Sequence, residues 1–148
     1  MFTTSHPLVV ELAGPPRGKG RPRFSKFSPR PHTPEATRSY EQDLGWAARA
    51  AMQGHPALDG PISVSVMAII PVPPSWTARK RSAALEGKLR PTSKPDFDNI
   101  AKMLDAFNRI VWRDDSQIVS GRVCKMYGPD PKLRVTVASL AVGEGDAA

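Results

Sequence analysis

The chain has 148 residues, 40% of them hydrophobic, and carries a net charge of +7 with a pI near 10.0. This length and composition favour one domain over residues 1–148, and the charge favours a polyanionic partner, with nucleic acid ahead of an anionic membrane. The sequence has no run of about 18 apolar residues, which excludes a membrane-spanning helix. It also lacks a basic and apolar leader at its start, so we expect a cytoplasmic protein.

Charge is divided unevenly along the chain. Residues 1–95 carry 14 Lys and Arg against 6 Asp and Glu, whereas residues 96–148 carry 7 against 8. Basic segments therefore precede an acidic one. This is expected of a protein that attracts a polyanion with one part of its surface and binds a cation, such as a divalent metal ion, with another. The alternative is a solvated basic surface with no specific partner.

The first predicted elements are a strand over residues 7–13 and a basic loop over residues 14–32. Gly and Pro are expected to prevent any regular element in the loop, and its glycines would let Arg side chains approach phosphates. Phe24 and Phe27 are expected to anchor the loop rather than stack on bases. A solvated linker is the alternative. The candidate DNA contacts in this loop are Arg17, Lys19, Arg21, Arg23 and Lys26.

A helix is predicted to begin at the sequence TPE, with Thr33 as its N-cap and Pro34 at its first position, and to end before Gly54. Its apolar residues recur at helical spacing and indicate one buried face. That face consists of Tyr40, Leu44, Ala47, Ala48 and Ala51.

Residues 61–72 follow as a β-branched strand with alternating apolar positions. A short second helix is then predicted, capped by Ser75 or Thr77 and ended by Gly87. It carries a second basic patch that extends towards the acidic stretch. The candidate DNA contacts of this part are Arg79, Lys80, Arg81 and Lys94.

The C-terminal part is predicted as two strands, over residues 117–126 and 133–140, joined as a β-hairpin by a turn over 127–131. Residues 142–148 are small and polar and are expected to be a frayed tail. Together the elements predict an α+β fold in which about three helices pack on a mixed β-sheet.

Residues 94–117 are the acidic stretch, KPDFDNIAKMLDAFNRIVWRDDSQ. Pro95 disfavours helix at the residue before it, so the chain is expected to begin this stretch extended. Asp96 and Asp98 would then share one side and Phe97 would turn to the core, with a helix from about Asn99. Five of the chain's fourteen acidic residues lie in the stretch: Asp96, Asp98, Asp105, Asp114 and Asp115.

At about 100° per residue, the predicted helix has a polar stripe opposite an apolar one. The polar stripe consists of Asp98, Lys102, Asp105 and Arg109. The apolar stripe consists of Ile100, Met103, Leu104 and Phe107. A short strand over residues 110–112 would then bring Asp114 or Asp115 back beside the start of the helix.

Three converging carboxylates would suit Mg²⁺ or Mn²⁺, which prefer hard oxygen ligands and leave positions for water and phosphate oxygens. A phosphodiester is the natural substrate of such a site, and Lys102 would contact the scissile phosphate or orient the attacking water. Two alternatives stay open. The acids could be only a helix cap and a turn, or they could bind calcium, although the EF-hand spacing is absent.

The segment KPDFDNIAKMLDAFN followed by WRDDSQI is similar to the pattern K-P-D-x-D-N-x-x-K, then D-A-hydrophobic-N, then D-D-x-Q. On these residues the sequence resembles the RusA family of Holliday junction resolvases, many of them phage-borne. GKGRPRF, TPEATRSYE and PPSW also have counterparts in that family. The chain departs from the family in having only Met103 and Leu104 between Lys102 and Asp105, and in having Arg109 where a Gly usually follows the Asn.

This resemblance implies a homodimeric, magnesium-dependent endonuclease, with Mn²⁺ as a substitute, that nicks paired strands across a four-way DNA junction in recombination and repair. It implies metal ligands at Asp96, Asp98 and Asp115 and an essential lysine at Lys102. The secondary positions are Asp105, Asp114, Asn99 and Gln117. The competing hypothesis is a non-catalytic protein that binds branched DNA and whose acidic residues are structural.

Overall fold

The structure is a computed structural model that describes residues 2–19, 23–25, 28–32 and 35–140, with the backbone alone for residues 23–25 and 28–32. Some expectations concern residues outside these ranges: the DNA contacts Arg21 and Lys26, the caps Thr33 and Pro34, the anchor Phe27, and the tail over residues 142–148. The side chains of Arg23 and Phe24 are likewise not described.

The described residues form strands, α-helices and two short 3₁₀ segments. In chain order these elements are β1 (Leu8–Ala13), β2 (Arg23–Ser25), β3 (Ser28–His32), α1 (Glu35–Met52), β4 (Ile62–Ile70), α2 (Ala78–Leu85), α3 (Phe97–Lys102), the 3₁₀ segments Met103–Phe107 and Asp115–Gln117, β5 (Ile118–Tyr127) and β6 (Lys132–Ser139). Within this part of the chain, no helix has the length and apolar character needed to cross a membrane.

A mixed four-stranded sheet in the order β1-β6-β4-β5 forms the centre of the fold. β6 pairs antiparallel with both β1 and β4, and β4 pairs in parallel with β5. Alternate residues of β4 are buried from Ile62 to Ala68, as expected of a strand with one face against a core. The prediction of an α+β fold with a mixed sheet and three helices is confirmed.

The predicted C-terminal hairpin is wrong in its pairing, although both strands are present. β4 lies between β5 and β6, so the connection over residues 128–131 crosses the end of β4. Gly128 permits this crossing. Its amide donates to the Ile70 carbonyl oxygen at 3.1 Å, and a Cβ on Gly128 would lie 2.5 Å from Cγ2 of Ile69. As an inner strand, β4 forms backbone hydrogen bonds with a neighbour on each side. As an edge strand, it would leave one row of backbone groups without a strand partner.

α1 and the acidic stretch share one core with the sheet. The apolar face predicted for α1 is buried or partly buried there: Tyr40, Leu44, Ala47, Ala48 and Ala51. Phe107, Val111 and Trp112, all from the acidic stretch, are buried in the same cluster. Because these side chains are part of the core, the acidic stretch is fixed relative to the sheet.

Part of the basic loop is regular. β2 and β3 pair antiparallel, with Arg23 opposite His32, so the prediction that Gly and Pro prevent any regular element is wrong. Each strand of a two-stranded ribbon is an edge strand, and edge strands tolerate Pro. Further along the chain, the prediction of Thr77 as a cap of α2 is confirmed, since its hydroxyl accepts from the Lys80 amide at 3.3 Å.

Gly128→Ala is expected to lower the free energy of unfolding by about 1–3 kcal/mol, as overpacking typically does, because the added methyl group would meet Ile69. Urea unfolding followed by tryptophan fluorescence measures this change. Gly121→Ala is the matched control, since a Cβ there would make only ordinary contacts, the nearest at 3.6 Å. Equal loss in the two variants would contradict the account of the crossing.

Candidate active site

Immediately before α3 the chain is extended at Asp96 but bends at residues 93–95, so the prediction of an extended start to the acidic stretch is wrong for Lys94 and Pro95. The Lys94-Pro95 peptide bond is cis, and Asp96 is the N-cap of α3 with φ −74° and ψ 156°. The helix starts at Phe97 rather than near Asn99, and Phe97 is 63% exposed. The prediction of a core position for Phe97 is therefore wrong, because Ile100 takes the inward position of this first turn.

Asp98 and Lys102 form the predicted i, i+4 pair on the exposed side of α3. The Lys102 Nζ lies 3.5 Å from Asp98 Oδ2, and both side chains are more than half exposed. The predicted apolar stripe is buried on the other side. Solvent makes an exposed ion pair of this kind weak, so both groups are available to an external ligand.

Asp105 lies in a different ion-pair network. Its carboxylate is 3.1 Å from the Nζ of Lys19, which is also 3.2 Å from Glu41 of α1. Burial acts to lower the pKa of Lys19, but the two carboxylates outweigh it and leave that pKa raised. Asp105 therefore has Lys19 as its ion-pair partner, instead of Lys102 from the predicted stripe.

Residues 17–19 lie against the start of α3. The Lys19 amide donates to the Asn99 carbonyl oxygen at 2.9 Å. A Cβ on Gly18 would lie 2.8 Å from the Asn99 Cβ and 3.2 Å from the Pro95 Cβ. Only glycine permits this approach, so the first part of the basic loop is fixed to the acidic stretch.

The strand predicted over residues 110–112 is replaced by a buried turn. Trp112 makes single bridges to Leu58 and Asn108, and its Nε1–H donates to the Asn108 Oδ1 at 2.7 Å. Val111 and Trp112 are fully buried. The apolar run thus belongs to the core, and its hydrogen bonds are those of a turn.

Arg109, which follows Asn108, has φ +68°. This is the left-handed region, which glycine occupies at no steric cost and other residues rarely adopt. Arg109 stands where the family pattern has Gly, so the backbone conformation supplies a physical reason for that pattern.

Asp114 shapes the turn that leads to Asp115. It is the N-cap of the 3₁₀ segment Asp115–Gln117, and its Oδ2 accepts from the Ser116 amide at 3.0 Å. Hydrogen bonds from the side chain and backbone of Ser116 hold the pKa of Asp114 below its usual value. Asp114 is therefore committed to the turn.

Gln117 ties the same turn to the loop before β4. Its Oε1 accepts from the amides of Arg113 and Asp114 at 2.8 and 3.0 Å. Its Nε2 donates to the carbonyl oxygens of Leu58 and Gly60 at 2.9 and 3.0 Å. All four contacts are with the backbone, so Gln117 fixes the position of the segment that carries Asp115.

Asp115 lines a cleft of about 260 Å³ together with Phe97 and Ala101, so the returning turn lies beside α3. Within the described ranges, the carboxylates of Asp96 and Asp115 have neither a hydrogen bond nor an ion pair. The same ranges contain no group of three or more Asp, Glu, His or Cys that could hold a metal ion. The donors fit a hard divalent cation in kind, and their convergence on one ion stays a prediction.

Two of the α2 residues predicted to contact DNA already make contacts within the protein. Lys80 lies over the Trp76 ring, with its Nζ 4.0 Å from the ring centre, and Arg81 donates to the Pro73 carbonyl oxygen at 3.2 Å. Lys80 is nevertheless exposed to solvent, as are Arg17, Arg79 and Lys94, and the contacts of these residues with DNA stay predictions.

Lys125 of β5 is a residue that sequence reasoning missed. Its Nζ donates to the carbonyl oxygens of Ser93 and Pro95 at 2.7 and 3.0 Å, directly before Asp96. No local pattern marks it, because residues 123–127 of β5 are all partly buried and show no alternation. Its partners are backbone carbonyl oxygens about 30 residues earlier in the chain.

The net charge of +7 and the basic residues that precede the acidic stretch are the electrostatic features of a nucleic-acid-binding protein. A protein-family model described as Endodeoxyribonuclease RusA matches residues 13–138. The chain therefore belongs to the RusA endodeoxyribonuclease family. It is also 35% identical over 141 residues to the Uncharacterized protein YqaN of Bacillus subtilis (strain 168), with 90% of this chain and 97% of that protein covered. RusA nucleases act on branched DNA junctions and generally depend on a divalent metal.

Gln117→Glu is expected to lower the free energy of unfolding by about 1–3 kcal/mol, because a carboxylate would face the Leu58 and Gly60 carbonyl oxygens without a proton to donate. Urea unfolding at neutral pH measures the loss. Gln42→Glu, on the exposed side of α1, makes the same chemical change and should stay within about 0.5 kcal/mol of wild type. Equal stabilities would show that the two backbone contacts contribute nothing.

Arg109→Gly is expected to raise the free energy of unfolding by about 1 kcal/mol, because glycine adopts a left-handed φ without the penalty of other residues. The same substitution at Arg38, inside α1, should instead lower it by about 1 kcal/mol. Thermal and urea unfolding of the two variants test the opposite signs. Destabilisation in both would refute the conformational strain at Arg109.

Proposed function

We propose that this protein is a Mg²⁺-dependent, homodimeric endodeoxyribonuclease that resolves Holliday junctions and other branched DNA by paired nicks, in DNA recombination and repair. The observation that carries the proposal is the exposed Asp98 and Lys102 pair on α3, directly after Asp96, which has no partner among the described residues, and beside the cleft that Asp115 lines. Membership of the RusA family supports the reaction class.

Asp96, Asp98 and Asp115 would hold the metal ion through their carboxylate oxygens. A bound magnesium ion would supply an activated water and stabilise the negative charge that develops on the phosphorus centre, and manganese would substitute for it. The carboxylates suit this role because Asp96 and Asp115 have no competing partner in the described residues and Asp98 has only a solvent-screened one.

Lys102 would contact the scissile phosphate or orient the attacking water. Its side chain is 58% exposed and its ammonium lies at 3.5 Å from Asp98, so it can turn to a phosphate oxygen without breaking a buried contact. Among the secondary positions, Asn99, Asp114 and Gln117 would act by fixing the backbone. Asp105 would act through its side-chain ion pair with Lys19.

The basic residues would bring the DNA to this site. Lys94 is exposed directly before the acids, and Arg17 is exposed beside Gly18, which contacts the start of α3. Contacts with phosphates would make binding fall steeply with salt. A homodimer would match the symmetry of a four-way junction by presenting two equivalent sites.

Asp98→Asn is expected to reduce Mg²⁺-dependent cleavage of a synthetic four-way junction by at least about 100-fold, because losing a ligand removes several kcal/mol of charge stabilisation by the metal. Single-turnover cleavage with a labelled junction measures the rate. Asp43→Asn is the matched control, since Asp43 is an exposed residue of α1 and not part of the acidic stretch, and this variant should cleave at the wild-type rate.

A gel-shift assay, combined with the cleavage assay, separates the nuclease hypothesis from the binding-only hypothesis. Neutralising Asp96 and Asp98 together should preserve or strengthen junction binding in a gel-shift assay while abolishing cleavage, because it lowers repulsion between carboxylates and phosphates. Wild-type protein that binds junctions yet cuts none across a range of Mg²⁺, Mn²⁺ and salt concentrations would refute the enzymatic proposal and leave a binding protein.

A further inference from the structure

We propose that Lys125 is a positioning residue for the acidic helix start, and that its ammonium fixes the segment carrying Asp96 and Asp98. The proposal rests on the proposed nuclease function and adds a residue to it that the sequence motif does not contain. Lys125 lies on β5, paired in register with Ala68 of β4, so the sheet fixes where its side chain begins.

The contacts of Lys125 are directed at one place. Its Nζ donates to the Ser93 carbonyl oxygen at 2.7 Å and to the Pro95 carbonyl oxygen at 3.0 Å. These oxygens flank Lys94 and immediately precede Asp96, the N-cap of α3. Neither residue is in a helix or strand, so the Lys125 ammonium gives their carbonyl oxygens a protein donor that no helix or sheet ladder provides.

The opposite side of the same segment is also held. Gly18 lies against Pro95 and Asn99, and the Lys19 amide donates to the Asn99 carbonyl oxygen. The helix start is therefore fixed between β5 and the basic loop. Asp96 itself makes no capping hydrogen bond through its side chain, so the backbone contacts, rather than the carboxylate, determine where the acids point.

Substitution of Lys125 by Met keeps the length of the side chain and removes both hydrogen bonds. Loss of a residue that orients metal ligands typically lowers metal affinity or activity by about 10- to 100-fold. Lys125→Met should therefore weaken Mn²⁺ binding and slow single-turnover cleavage by about that factor, with junction affinity unchanged. Lys125→Arg, which can donate to both carbonyl oxygens, should restore most of the loss.

Two measurements distinguish positioning from general stability. Hydrogen exchange by NMR follows the Ile100 amide, which donates to the Asp96 carbonyl oxygen in the first turn of α3, and calorimetry follows Mn²⁺ binding. In Lys125→Met, exchange should accelerate at Ile100 and remain unchanged in the paired core of β4 and β6. Lys132→Met is the matched control, since Lys132 is a mostly buried lysine whose partners are Asp130 and Glu11.

Each outcome decides the proposal. Uniform acceleration of exchange in proportion to lost stability, or Mn²⁺ affinity equal to that of wild type, would overturn the positioning role. If wild-type protein neither binds Mn²⁺ nor cuts junctions, the proposed function fails. The exchange measurement would still show whether Lys125 holds the start of α3.

Discussion

The geometry of the candidate site depends on the backbone contacts that hold the start of α3 from two sides. On one side Lys125 donates to the Ser93 and Pro95 carbonyl oxygens, and on the other Gly18 approaches Asn99 so closely that no side chain fits between them. Fixed backbone is the condition for placing exposed carboxylates, because an exposed Asp side chain has few contacts of its own to orient it.

Charge in the acidic stretch is divided in a way that the sequence alone does not reveal. Asp105 is paired with Lys19, Asp98 with Lys102, and Asp114 with the Ser116 amide. Within the described residues, Asp96 and Asp115 have no such partner. The three paired acids are thus held by contacts within the protein, whereas Asp96 and Asp115 are exposed to solvent.

Local patterns predicted most elements, because helix periodicity and strand alternation depend on residues close in sequence. The burial of β4, the apolar face of α1 and the Asp98–Lys102 pair are of this kind. The prediction of a β5–β6 hairpin was wrong because strand order depends on pairing between distant segments. Here β4, which is far away in sequence, lies between β5 and β6 and pairs with both, so it is not an edge strand. Phe97 was misplaced because the helix was expected to begin near Asn99, whereas it begins two residues earlier, with Asp96 as its N-cap and Phe97 in its first turn.

The family motif thus combines residues of two kinds, and the structure separates them. Gln117 contacts only backbone, Asn108 holds Trp112, and the position of Arg109 requires a left-handed backbone. These residues build the buried turn that returns the chain to α3, and Asp115 is exposed at its end. The motif therefore contains residues such as Asn108 and Gln117 whose contacts are structural, and they fix the turn that places Asp115 beside the same cleft as Phe97 and Ala101 of α3.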